Sequence, residues 1–175
     1  MKNSNQTRRP AKFWPVMGFA ALAGMRSMSA PAFLTYYLSR QPHAVLAGSS
    51  LRFLQKPITA TLFKVLIVGE MVGDKLPATP DRIAPLGLLG RLLAGALVGA
   101  AWYKSRHGSA VSGGLLGGLA TVTATFASYA LRMGISKRAG VSVALVGVGE
   151  DVRVLAGGAA LLRGQRPAKG QWRPL

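Results

Sequence analysis

The sequence predicts an all-α, polytopic membrane helix bundle of about five transmembrane helices with an inverted two-helix repeat. Three observations predict it. Apolar residues fall into five long runs with most Lys and Arg between them, the chain's 5 acidic residues sit in two places only, and two of the runs are echoed in order by two others. The domain organisation follows as a basic tail over 1–13, a single transmembrane domain over 14–163, and a basic tail over 164–175.

The first tail carries Lys2, Arg8, Arg9 and Lys12 ahead of an apolar run, which could imitate a secretory signal. That run continues past Arg26 for about 25 residues and four more follow, so it reads as a first span, helix 1, over about 14–38. Within it, Pro31 lacks an N–H and crowds the carbonyl of Ser27, which predicts a kink or break. Ser29 could cap a restarted half-helix with Pro31 in its first turn, making an anion site beside Arg26; an ordinary kink with Arg26 paired to an acid on another helix is the competing reading.

Residues 39–56 are too short and too polar to span, and fit an interfacial amphipathic turn or helix. Helix 2, over about 57–76, opens with Pro57 and carries Glu70 and Asp74 one turn apart on a shared face. Carboxylates at such depth cost about 2.5 to 3.5 kcal/mol each on insertion scales, so they should face a partner, a cavity or a ligand. Pro77 to Arg82 form a stiff connector in which Asp81 is equally a turn or a site residue.

Helix 3, over 84–103, places Gly87, Arg91, Gly95 and Gly99 on one stripe, which turns Arg91 toward protein; Trp102 and Tyr103 should end it at the interface. Helix 4, over about 111–133, bears Gly113, Gly117, Thr121, Thr125 and Tyr129 on one stripe, for helix packing or ligand contact. Helix 5, over about 140–163, holds Glu150, Asp151 and Arg153 near its midpoint, with Glu150 and Arg153 spaced to pair.

Gly24, Phe33, Tyr36 and Leu38 align without gaps with Gly117, Phe126, Tyr129 and Leu131, and Val68-Gly69-Glu70-Met71-Val72 matches Val148-Gly149-Glu150-Asp151-Val152. Duplication of a two-helix unit is therefore predicted, with units 14–76 and 111–163 and a linking helix 84–103 that inverts the second copy. With five crossings the termini would lie on opposite faces. The positive-inside count then ties, because the N-terminal tail joins Lys75, Arg82, Arg132, Lys137 and Arg138 against nine cations opposite.

A net charge of +17 and a pI near 11.6 would ordinarily raise nucleic acid as a partner, but here the charge lies in short connectors between apolar runs. A bilayer with anionic headgroups is the expected partner instead, with a homodimer as a further candidate and no nucleic acid. Zero cysteines exclude disulfides, thiolate metal sites and c-type haem attachment. His43 and His107 have no second ligand nearby, so no metal and no cofactor is expected.

Gly69-Glu70-Met71-Val72-Gly73-Asp74-Lys75-Leu76-Pro77, then Pro80-Asp81-Arg82, Arg91 and a Gly-rich helix, resembles the bacterial membrane family catalogued as domain of unknown function 4126. Gly24-Met25-Arg26 with Ala30-Pro31-Ala32 is similar to it too, and the resemblance covers about residues 16–160. It carries no activity with it. From the residues, the leading expectation is a multi-pass inner-membrane transporter or channel for a small solute, ion or anionic lipid. Glu70, Asp74, Glu150 and Asp151 would bind cations or protons, and Arg26, Arg91 and Arg153 would hold anionic groups or balance the acids. A structural scaffold whose buried ion pairs fix helix register and an enzyme acting on lipid phosphates are the alternatives, with no catalytic residue assigned.

Overall fold

The computed structural model describes residues 13–73, 84–140 and 143–165, and among these every regular element is a helix. The order is α1 (Phe13–Met25), α2 (Ser29–Arg40), α3 (Ala44–Ala47), a 3₁₀ turn (Ser50–Gln55), α4 (Pro57–Gly73), α5 (Pro85–Ser105), α6 (Ala110–Ala139) and α7 (Val143–Gly164). Helix boundaries follow local chemistry. Pro85 opens α5 where a missing N–H costs nothing, the Ser109 hydroxyl caps α6 by accepting from the Ser112 N–H, and Gly140 ends α6 in the left-handed region.

The expected single helix over 14–38 is instead two half-length helices that fold back on each other. Going up α7, Asp151 meets Arg26, Gly157 meets Leu22 and Gly158 meets Phe33; Leu161 then meets Gly18 and Gln165 meets Tyr37. Numbers in α1 fall while numbers in α2 rise along the same helix, so α1 is antiparallel to α7 and α2 parallel to it. The reversal lies at Arg26–Met28, and Phe19 of α1 and Tyr37 of α2 both pack on Trp102 of α5. Pro31 therefore sits in the first turn of α2 and is no kink in a continuous rod.

The two aligned segments differ in local structure at this hairpin. Helix α6 runs unbroken through Ala120 and Thr121, the positions aligned with Ser27 and Met28, and has Ala124 where α2 has Pro31. Trp102 differs from expectation as well. It is 0% exposed, because the α1–α2 hairpin lies over the end of α5.

Helices α5 and α6 make the most extensive contact in the fold. Gly99 faces the backbone of Gly113 and Gly117, and Gly95 faces Gly117 and Thr121, so the two helices touch without intervening side chains. Thr121 is buried in the same seam, and Thr125 is buried one turn further along α6, where Gly24 of α1 packs.

Large aliphatics point the other way. Ile58, Leu62, Val65 and Val72 of α4, Leu86, Leu89 and Leu93 of α5, Val111, Leu115 and Leu119 of α6, and Val148, Val152 and Leu155 of α7 are all exposed at helical spacing. The interior holds Gly, Ala, Thr and charged groups beside a cluster around Phe19, Leu34, Leu38 and Trp102. Two helices, Pro85–Ser105 and Ala110–Arg138, are long and apolar enough to cross a membrane.

Candidate functional site

The turn between α1 and α2 gathers the buried charges. Its backbone has two sets of groups to satisfy: the last carbonyls of α1 and the first N–H groups of α2. The Ser29 hydroxyl serves the first set, lying 2.8 Å from the Leu22 carbonyl and 2.6 Å from that of Arg26. Glu70, on α4, serves the second. One carboxylate oxygen accepts from the Ser27 N–H at 2.8 Å and from the Ser27 hydroxyl at 2.7 Å, and the other accepts from the Met28 N–H at 2.9 Å. A carboxylate at a helix N-terminus also lies at the positive end of the helix dipole.

Arg26 closes the arrangement. It is 1% exposed, and its Nε donates to Oδ1 of Asp151 at 2.7 Å while a terminal nitrogen contacts the same oxygen. Its other terminal nitrogen donates to the backbone carbonyl of Glu70 at 3.3 Å, near the C-terminal end of α4. Glu70 thus caps the start of α2 while Arg26 supports the end of α4, tying the hairpin to α4 in both directions. Asp151 ties it to α7.

Glu150, beside Asp151, is 7% exposed and faces Arg132 of α6, 3.9 Å from its guanidinium. Sequence spacing pointed to Arg153 as its partner, but Arg153 lies on the exposed side of α7. Arg91 is buried at 7% exposure on α5, on the stripe with Gly95 and Gly99. Asp74 and Asp81 lie outside the described residues.

Two members of the site were not singled out in the sequence. Ser27 offered no signal beyond its place next to Arg26. Arg132 did: it follows Thr121, Thr125 and Tyr129 at i+4 and i+3 spacing, so a helix extended beyond 133 carries it on the same stripe.

Among the described residues the arrangement brings together a half-helix N-terminus, the buried guanidinium of Arg26 and the carboxylates of Glu70 and Asp151. An anion entering here would compete with Glu70 and Asp151 for the same donors, and displacing the Glu70 side chain frees two backbone donors and a hydroxyl.

The family model described as Domain of unknown function (DUF4126) matches residues 15–163, the whole described bundle apart from its two ends. The chain belongs to that family. No curated protein and no solved structure matches it, so the chemistry of this DUF4126 chain rests on its own residues.

Proposed function

We propose that this chain is a multi-pass inner-membrane protein that passes a small anionic solute or ion through the turn of a re-entrant helical hairpin. The observation that carries the reading is the meeting of α1 and α2 at a charged turn in the interior, with Glu70 occupying the donors an incoming anion would use. Non-helical backbone at membrane depth is tolerated only where protein buries it or a cavity adjoins it, and interrupted helices of this kind build transporter sites.

Membrane embedding is supported by more than two apolar helices, since the core helix of a soluble protein can match them in length and composition. A soluble core does not send its Leu and Val outward at helical spacing while keeping Arg, Asp and Glu inside. Helix α1, at about 20 Å, and α2 are each too short for a hydrocarbon core of about 30 Å. The hairpin therefore enters and leaves by one face, and α4, α5, α6 and α7 make four crossings.

That topology breaks the charge tie. The N-terminal cations Lys2, Arg8, Arg9 and Lys12 move to the side that already holds Arg40, Arg52, Lys56, Lys104, Arg106, Arg163, Arg166, Lys169 and Arg173. The opposite side retains Lys75, Arg82, Arg132, Lys137 and Arg138. Both termini are then cytoplasmic by the positive-inside rule. Duplication of a two-helix unit stays our account of the Glu70 and Glu150 correspondence, with the copies diverged at Pro31 and Ala124.

The scaffold reading has its own observation: donors and acceptors at the turn are already satisfied by side chains of the same chain. Anion efflux from proteoliposomes separates the two. Wild type should accelerate release of a small anion such as chloride or phosphate over empty vesicles, and Glu70→Gln should change that rate while the protein still melts cooperatively in detergent. Failure of wild type to accelerate any of them favours the scaffold.

A further inference from the structure

Beginning one helical turn beyond Glu70 and Asp151, α2, α4 and α7 line a cleft of about 740 Å³. Phe33, Ile67, Leu155 and Leu162 make its wall, and Arg40, Lys64 and Arg163 stand around one end. Arg40 and Lys64 both lie over one ring, that of Tyr36, at 5.5 and 4.8 Å from its centroid. The ring holds two positive groups together that would otherwise repel. Among the described residues none of the three has an acidic partner, since Glu70 and Asp151 are engaged at the turn and Glu150 faces Arg132. Among the described residues, the cleft thus pairs a cationic end that no carboxylate balances with an apolar wall.

We infer that this cleft holds the phosphate headgroup and upper acyl chain of an anionic membrane phospholipid, a site separate from the Glu70 turn. Charge complementarity selects the head: two guanidinium forks and an ammonium match a phosphodiester, whose oxygens accept several donors at once. The apolar wall selects an amphiphile over a soluble polyanion. Position agrees, because Arg40 ends α2 and Arg163 ends α7, so the cations collect at the end of the bundle assigned above to the cytoplasmic headgroup layer. The volume falls within the range of about 300 to 1,000 Å³ typical of small-molecule sites, enough for a headgroup and part of one chain.

The inference rests on the membrane reading, and the test separates the two. The full chain is incorporated into vesicles of phosphatidylcholine with phosphatidylglycerol, floated on a density gradient, extracted in mild detergent and weighed intact with its retained lipid. Wild type should retain phosphatidylglycerol several-fold over phosphatidylcholine. Lys64→Gln and Arg163→Gln should each lower that preference by about fivefold, the effect of one cation near a charged headgroup. Ala159→Phe, which fills the apolar wall and leaves every charge in place, should lower total retention by a similar factor. A chain that does not float overturns the membrane reading and this site together. A chain that floats but shows no preference, or whose preference survives the two charge variants, overturns the site alone. So does undiminished retention by Ala159→Phe, which would assign the lipid to the basic tails.

Discussion

Arg26 and Asp151, 125 residues apart in the chain, share a single carboxylate oxygen as their meeting point, with Nε of Arg26 at 2.7 Å. Burial leaves neither group able to fall back on water. Removing one partner of such a pair costs about 3 to 5 kcal/mol, whereas exchanging both for apolar residues is often close to neutral. Arg26→Leu should therefore lower the melting temperature in detergent sharply, and Arg26→Leu combined with Asp151→Leu should restore at least half the loss. Additive losses in the double variant would show that the two side chains are not coupled.

Glu70 should show a graded response. Glu70→Ala leaves two N–H groups and a hydroxyl at the α2 terminus without their acceptor, at about 1 to 3 kcal/mol for each group that water cannot reach. Glu70→Gln keeps one acceptor oxygen and turns an amide donor toward another donor, so it should fall between wild type and Ala in thermal unfolding. Equal stability of all three would mean that the cap does not hold the hairpin.

Close packing of α5 on α6 gives a third expectation. A side chain at Gly99 would strike the backbone of Gly113, which cannot rotate away, so Gly99→Ala should destabilise. Gly90→Ala, on the same helix with nothing within 4 Å, should be neutral or stabilise by up to about 1 kcal/mol through helix propensity. Parallel urea or thermal unfolding of the two variants in detergent reads the difference directly.

The four-crossing topology is tested by accessibility, made simple by the absence of native cysteine. Single cysteines at Ser49, in the connector between α3 and α4, and at Gly108, between α5 and α6, should react with an impermeant maleimide from one face only. Reporters fused to both termini should lie on that same face. Termini on opposite faces would restore the five-crossing arrangement.

His43 provides a pH signature outside the spans. Burial lowers its pKa below 6.5, and the neighbouring charges of Arg106 and then His107 lower it further. The folded state thus binds fewer protons than the unfolded state below about pH 6.5, so stability is full above that value and declines as pH falls through it. His43→Gln should flatten that part of the curve of melting temperature against pH. An unchanged slope would assign the dependence to other groups.

Much of this arrangement was legible in the residues. Continuous apolar runs with small-residue stripes located α4 to α7 within a few residues of their starts, because burial of an apolar or close-packed face is a local, periodic property. Of the two readings open at Pro31, the structure has the restarted helix of one and the Arg26 pairing with an acid on another helix of the other. The reversal itself was not legible: a run of about 25 apolar residues is the same string whether it continues or folds back, and what fixes the turn is a carboxylate more than 40 positions later. Arg153 was drawn toward Glu150 by spacing on one helix, yet Arg132 faces that acid from a neighbouring helix, a choice made by tertiary packing. Trp102 was placed at an interface from its position near a helix end, and the hairpin covers it.

The cap that Glu70 supplies to α2 also dictates an order of biogenesis. When α1 and α2 first leave the ribosome, the N–H groups of Ser27 and Met28 lack the carboxylate that accepts from them, and Asp151, which meets Arg26, is made more than a hundred residues later. A bilayer would reject that turn on its own. On the proposed membrane topology, the hairpin is capped only once α4 has arrived, and its tie to α7 through Asp151 forms only after that. On that topology, a nascent chain that stalls before residue 70 holds a first segment whose turn lacks the carboxylate that caps it.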